Sequence, residues 1–499
     1  MNRELIRLIG LVMNVLCAML SVLVMAGCSR AGAWDLIAEQ QEGSRQFDED
    51  AGYAPASEKF VAFGTDGLPT ISLYWARPDE TVTGYRVYRS ETSDAYGAPL
   101  AVLDTTSQEN SYTDSTVVFD VSYYYFIEAL SSTTVTHISI EVSASARDGA
   151  VVDSSFVYVD PAAAGGGNGS FDAPFNSISG GLLGVDAGGT VLLLDGIYLQ
   201  SSTVTVDKPV IIRTKTSSYH YGGAVLHGGD GDYAAFALLS GSDDSVVQGL
   251  RVTRFHRSSG SQGVIQIGQN SGDHRPADVQ ILSNHLYSNQ GVGISNYGHG
   301  GHSVRTIIRG NRISDHSEGH AVRTYRGLVD GRFEENVIEN VSGAAYAGIN
   351  MDQAAGFIIA GNHFTNIEGN GMNLGAGTTG FTISDNLVEY CSTERIDGAG
   401  IRLYGASHNT QVIITGNTVR SNRAGIRQRD SDISGSLITI TGNSILSPLA
   451  VTGAMLIVND AATGTLDARG NWFGSVEESY FEPLISENVD YSDWLTGSP

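Results

Sequence analysis

Gly310-Asn311-Arg312-Ile313, Glu335-Asn336-Val337-Ile338 and Gly361-Asn362-His363-Phe364 share one shape: a turn residue, an asparagine, a variable residue and an apolar one. The shape recurs in both directions. Ser283-Asn284-His285-Leu286 precedes it, and Asp385-Asn386-Leu387-Val388, Gly416-Asn417-Thr418-Val419, Gly442-Asn443-Ser444-Ile445 and Gly470-Asn471-Trp472-Phe473 follow. The asparagines stand 24 to 31 residues apart. A second motif runs in phase with the first: Gly293-Ile294, Gly348-Ile349, Gly371-Met372, Gly400-Ile401 and Gly425-Ile426. Two phased motifs at such a period mark a solenoid. The apolar runs last three to five residues, are β-branched, and are bounded by Gly, Asn or Ser. They read as strands, because helical repeats need long segments of period 3.6. Each coil then stacks on the next as parallel strands about 4.8 Å apart. Asparagine suits the bend because it tolerates the left-handed backbone region. Its amide both donates and accepts, so stacked copies can bond along the axis.

This repeat resembles the pectate-lyase-like right-handed parallel β-helix superfamily, whose asparagine ladder matches Asn284 through Asn471. The superfamily's usual opening resembles Tyr158-Val159-Asp160-Pro161, followed by Gly169-Ser170, Ala173-Pro174-Phe175 and Gly189-Thr190-Val191-Leu192. The resemblance covers about two-thirds of the chain and implies an all-β fold over 155–475. The family often follows its opening with a capping helix. Phe175, Ile178 and Leu182 have helical spacing here, but Gly180, Gly181 and Gly184 make that helix poor. The last stretch, 476–499, carries Tyr480, Phe481, Tyr491 and Trp494 and is expected to cover the open solenoid end.

Upstream, 57–147 has period two. Ile71, Leu73 and Trp75 alternate with Ser72 and Tyr74, Tyr85 and Val87 with Arg86 and Tyr88, and Ile138, Ile140 and Val142 follow. Turn residues such as Pro78-Asp79 and Ser93-Asp94 divide short strands, which indicates a β-sandwich. Leu73-Tyr74-Trp75, Tyr85-Arg86-Val87-Tyr88, Tyr112-Thr113-Asp114 and Tyr123-Tyr124-Tyr125-Phe126 resemble a fibronectin type III domain, a module that usually acts as a spacer.

The first 27 residues read as a targeting segment. Arg3 and Arg7 precede the apolar run Leu8 to Met25, which stops at Ala26-Gly27-Cys28-Ser29. Small residues before a cysteine suit a signal peptidase. The segment resembles a bacterial lipoprotein signal, with Met25 where Leu is usual. It implies Cys28 as the lipidated residue, a polar tether over 28–56, and acyl anchoring without a spanning helix. In the sorting rules of enteric bacteria, Ser29 favours the outer membrane. Cys17 leaves with the signal and Cys28 takes lipid, so Cys391 has no disulfide partner within the chain. The net charge is −25, and the only lysines are Lys59, Lys208 and Lys215. Such a surface disfavours nucleic acid and anionic headgroups as partners.

The phased repeat aligns residues facing out of one sheet. With Ile294, Val322, Ile349, Met372, Ile401 and Ile426 inward, the next residues form the row Gln266, Ser295, Arg323, Asn350, Asn373, Arg402 and Arg427. Residues two further on form the row Gly268, Tyr297, Tyr325, Asp352, Gly375, Tyr404 and Arg429. The alignment needs a one-residue insertion at Val322. Four arginines, three tyrosines and an aspartate on an acidic protein point to an acidic polysaccharide. Arg forks match carboxylates and sulfates, and tyrosine faces stack on sugars. Gly375 between Asp352 and Tyr404 reads as a notch for about one sugar unit.

Enzymes of the resembling superfamily bind sugar chains along such a sheet, which implies a polysaccharide lyase or a C5 epimerase here. β-Elimination of a uronate needs carboxylate neutralisation, C5 proton removal and protonation of the departing oxygen. Arg323 and Arg402 are candidates for the first. Tyr325, Tyr404, His299, His302 and His320 are candidates for the others. Asp352 is a candidate Ca2+ ligand or base-orienting group, and Ser295, Tyr297, His299, Asn350, Asn373, Arg427 and Arg429 are candidate sugar contacts. A lysine base is disfavoured, since no lysine follows Lys215. Tyr297-Gly298-His299-Gly300 superficially resembles a polygalacturonase motif whose accompanying aspartates and Arg-x-Lys are missing. Hydrolysis needs two carboxylates, and the rows offer only Asp352. The alternative class is a non-catalytic surface protein that binds glycans or projects from the cell.

Overall fold

A computed structural model describes residues 60–499 apart from 65–66, 76–81, 105–110, 132–133, 140, 147, 149, 151, 215–222, 259–261, 269–275, 298–302, 326–327, 376–378, 405–410, 430–432, 434 and 462. The expected signal, Cys28 and the tether lie outside the described residues. Among the described residues, no helix is long and apolar enough to cross a membrane.

Two units are distinguished, the first formed largely by 72–113 and 122–144. It carries a sheet in the order Phe60–Gly64, Ile71–Trp75, Ser111–Asp114 and a second, five-stranded sheet centred on Gly84–Ser90 and Tyr123–Ser131. The pairs of the second sheet are antiparallel. Alternate residues point inward: Leu73 and Trp75 from one sheet, Tyr85, Val87, Tyr123 and Tyr125 from the other. Trp75 meets Tyr85 edge-on at 5.1 Å, so the two sheets close as a sandwich.

The second unit is a right-handed parallel β-helix. Three parallel sheets of thirteen, ten and ten strands run its length among the described residues, and strand neighbours are one coil apart in sequence. The interior is a continuous apolar column running from Val157 to Ile485. On one sheet Ile265, Ile294, Val322, Ile349, Met372, Ile401, Ile426 and Ile457 are directly in register, each fully buried. Cys391 lies in this interior as a free thiol.

The asparagine ladder is continuous. Asn284 Nδ2 donates to Asn311 Oδ1 at 3.0 Å, and the same bond repeats through Asn336, Asn362, Asn386, Asn417 and Asn443 to Asn471. Each backbone N–H joins in, as from Asn311 to Asn336 Oδ1 at 2.9 Å. The left-handed residue is not the asparagine but the one before it. Ser283, Gly310, Glu335, Gly361, Asp385, Gly416, Gly442 and Gly470 all have φ between 50° and 69°. The asparagine stays in ordinary backbone because its carboxamide must point inward at the next coil. That explains the frequency of Gly at the preceding position.

The glycine-rich capping segment does form a helix, Ile178–Gly184. Ser177 caps it by accepting from the Gly180 N–H at 3.2 Å, and Ile178 and Leu182 are buried on the coil end. Tertiary burial outweighs the propensity cost, and a Cβ at Gly181 would lie 2.6 Å from Val159. At the other end, Phe481 stacks on Phe473 at 4.9 Å and touches Tyr491 and Trp494. Val489–Asp490 pairs with Leu466–Asp467 there, ending the thirteen-stranded sheet.

Candidate functional site

The side chains beside the buried isoleucine column point away from the core. Strand pairing puts Gln266, Ser295, Arg323, Asn350, Asn373, Arg402 and Arg427 in one row, with Val322 opposite Ile294 as the insertion requires. The second row follows, since Tyr297, Tyr325 and Asp352 are in register. Gly375 continues it by donating its N–H to Met351 O, Tyr404 by donating to Leu374 O, and Arg429 by donating to Leu403 O.

The rows are largely covered, differently at their two ends: Gln266, Asn350, Asn373 and Arg402 are buried, while Asp352, Tyr404 and Arg427 are half-buried. Ser295 and Tyr297 are fully buried, and Ser295 Oγ accepts from the Gly263 N–H at 2.8 Å. Neither side chain is open to a ligand, contrary to the sequence expectation; an alternating strand pattern gives direction, not cover. His299, His302 and the side chain of Tyr325 lie outside what the structure describes.

The other end forms a closed circuit of five side chains. Tyr404 Oη donates to Asp352 Oδ1 at 2.8 Å. Asn350 Nδ2 donates to Asp352 Oδ2 at 3.2 Å, and Asn373 Nδ2 donates to Asn350 Oδ1 at 2.6 Å. Arg402 Nη1 donates to Asn373 Oδ1 at 2.9 Å, and its guanidinium lies 4.8 Å over the Tyr404 ring. Gly375 sits under the Tyr404–Asp352 bond. A Cβ there would lie 2.1 Å from Asp352 Oδ1 and 2.7 Å from Tyr404 Oη. The expected sugar-sized notch is therefore filled by the chain's own hydrogen bond.

The arginines have partners that the rows did not include. Arg427 grips Asp460 with two bonds, at 2.8 and 3.1 Å. Arg429 pairs with Asp397, and its Nε stands 3.7 Å from Asp460. Arg395 Nε is 3.0 Å from Asp397 Oδ1, and Arg402 Nη2 is 3.7 Å from Oδ2. This face therefore holds further carboxylates besides Asp352. Asp460 was legible: it is one coil beyond Arg429 in the same row, but Leu456-Ile457 replaces the Gly-Ile marker there. Asp397 was not, because it lies in a loop outside the repeat.

The electrostatics assign roles. Burial, the bond to Asp352 and that carboxylate's charge push the Tyr404 hydroxyl up to about 12, against a smaller pull from Arg402. Near neutral pH it is a proton donor, not a base. Burial and then the charge of Arg395 push Arg402 down to about 10, which leaves it cationic. Burial raises Asp397, but Arg395, Arg402 and Arg429 outweigh it and hold the group below the usual range. His320 accepts from the Ala347 N–H at Nδ1, 2.9 Å away, so its proton is on Nε2. Burial first, and Arg323 second, push it down to about 3. It is a neutral donor rather than a base. Within the circuit of five side chains, the only carboxylate is Asp352. Among the described residues of the face, Arg323, Arg395, Arg402, Arg427 and Arg429 stand beside Asp352, Asp397 and Asp460, a concentration of arginine on an acidic chain.

Both Asp352 oxygens already have donors, and no group of three or more His, Cys, Asp or Glu that could hold a metal gathers among the described residues. The described residues thus offer Ca2+ no ligand set around Asp352.

The family described as "Right handed beta helix region" matches residues 262–445, less than half of the chain. No curated protein matches the sequence. Among solved structures, the chain is similar to the Agl-KA catalytic domain at 12% identity and TM-score 0.49, covering 87% of this chain and 91% of that one. It is also similar to pectate lyase Pel9A at 16% identity and TM-score 0.34, covering 69% and 78%. The A-module of the Azotobacter vinelandii mannuronan C-5 epimerase AlgE4 is similar at 11% identity and TM-score 0.33, covering 62% and 91%.

Proposed function

We propose that the chain is an envelope lipoprotein whose β-helix binds an acidic polysaccharide on the face carrying Arg402, Tyr404 and Asp352 and cleaves it by β-elimination. The observation that carries this reading is the Tyr404–Asp352 pair, 2.8 Å apart, beside a row of arginines. Arginine forks neutralise a uronate carboxylate and so acidify its C5 proton. Asp352 accepts that proton, and Tyr404 gives its own to the departing glycosidic oxygen. Two groups so close address one face of a sugar ring, which suits a syn elimination. An epimerase would need a separate proton donor on the opposite face of C5, which a pair on one face does not supply. The acyl chains on Cys28 and the sandwich then act as anchor and spacer that hold the helix away from the membrane.

The second reading is glycan binding without turnover. It is favoured by the pairing of Arg395, Arg402, Arg427 and Arg429 with aspartates of the same chain. The test is ultraviolet absorbance of the lipid-free mature protein with a panel of uronate polysaccharides, with and without Ca2+. A rise with one polymer supports elimination, since the new double bond absorbs. A flat trace, together with retardation of one polymer in affinity electrophoresis, supports binding alone.

A further inference from the structure

Asp397 belongs to the loop between the strands Leu387–Cys391 and Ile401–Leu403. The loop base is fixed: Ser392 Oγ donates to Arg395 O at 3.0 Å, and the Gly398 N–H donates to the same oxygen at 3.2 Å. From this base the Asp397 carboxylate, 40% exposed, reaches over Arg402, which is 8% exposed. Arg395 closes on it from the same loop and Arg429 from the next coil. The buried partner is poorly served. Arg402 Nη2 is 3.7 Å from Asp397, beyond hydrogen-bond length, and Arg402 Nε is buried with no partner. A buried guanidinium with an idle donor under an exposed carboxylate is a cation prepared for a better-placed oxyanion.

We infer that Arg395, Arg402 and Arg429 form an oxyanion subsite that is closed in the free protein by Asp397, whose carboxylate stands in for the carboxylate or sulfate of an acidic sugar. This rests on the reading of the face as an acidic-glycan site and adds how that site is regulated. Entry of the ligand exchanges one anion for another, so the arginines are never left uncompensated in a partly buried place. The exchange also sets selectivity. A neutral sugar cannot replace Asp397, because displacing it would leave Arg395 and Arg402 without an anion and Arg429 with only Asp460, 3.7 Å away.

The test compares the lipid-free mature protein with its Asp397→Asn and Asp397→Ser variants. The probes are inorganic sulfate and sodium glucuronate, against chloride at matched ionic strength, and the readout is melting temperature. Both variants are expected to melt below the parent without a probe. Sulfate or glucuronate then raises their melting temperature saturably, at concentrations about 10-fold lower than the parent requires. Adding Arg429→Gln to either variant abolishes that response. The relative response to the two probes says whether the subsite prefers a carboxylate or a sulfate. Equal responses in parent and variants, or no saturable response in a folded variant, overturn the inference. Anion binding by the variants without any response of the parent to uronate polymers would keep the subsite and remove the polysaccharide reading. Polymer binding that is the same in parent and variants would do the reverse.

Discussion

The hydroxyl of Tyr404 reaches across one intervening coil to the carboxylate of Asp352, and the residue of that coil in between is Gly375, whose missing side chain leaves the path open. Replacing it tests the whole circuit. Gly375→Ala places a methyl 2.1 Å from Asp352 Oδ1. We expect a loss of about 1–3 kcal/mol in urea unfolding from the forced shift. Tyr404 should return toward the ordinary tyrosine value of about 10 in a spectrophotometric titration.

Tyr404→Phe removes one hydrogen bond from a half-buried group and should cost about 0.5–1.5 kcal/mol. If Tyr404 protonates the departing oxygen, turnover on the responsive polymer falls roughly 10²- to 10⁴-fold. Turnover within a factor of about three of the parent would remove Tyr404 from the chemistry. Arg402→Ala is a poorer probe than the row alone suggests. Its guanidinium is buried, and its loss leaves Asn373 and Asp397 short of a donor, so folding falls along with function.

The coil interior gives the protein an acid-sensitive stability. His316 is fully buried, donates from Nε2 to Gly291 O and has no partner at Nδ1. Burial pushes it down to about 4, against a smaller upward pull from that bond. Its folded value is depressed below the unfolded one of about 6.5. The neutral ring's contribution is therefore complete above about 6.5 and is lost as pH falls toward 4, by something on the order of 3 kcal/mol. Urea midpoints measured from pH 7.5 to 4 should show this slope, and His316→Leu should flatten it.

Glu335 is a side-chain-bearing residue at a ladder position that glycine fills in Gly310, Gly361, Gly416, Gly442 and Gly470. Its φ is 54°. Glu335→Gly should stabilise by up to about 1 kcal/mol, the left-handed strain less the entropy glycine costs. An unchanged or lowered urea midpoint would mean that the Glu335 side chain contributes more than its backbone loses.

The coil geometry was legible because it repeats: phased asparagines and Gly-Ile pairs place Asn350 beside Asn373 and Asp352 beside Gly375. Cover was not legible. Ser295 and Tyr297 occupy the same rows as Arg427 and Asp352, which are half-buried, yet both are fully buried. Nor was pairing, because Arg395 and Asp397 come from a loop with no counterpart in the neighbouring coils. The backbone role of the motif was also misplaced by one residue, since composition cannot say whether Gly or Asn of a Gly-Asn pair takes the positive φ.

The asparagine ladder fixes one corner of each coil and is indifferent to the chain between corners. Its intervals run from 24 to 31 residues without a missed bond. The longest, from Asn386 to Asn417, is the one that contains Arg395, Asp397, Arg402 and Tyr404. Architecture and chemistry are thus written in separate portions of each repeat. Lengthening or rewriting the slack between two asparagines can change which side chains the face presents while the stack keeps its pitch, so the face can drift without a matching drift in fold.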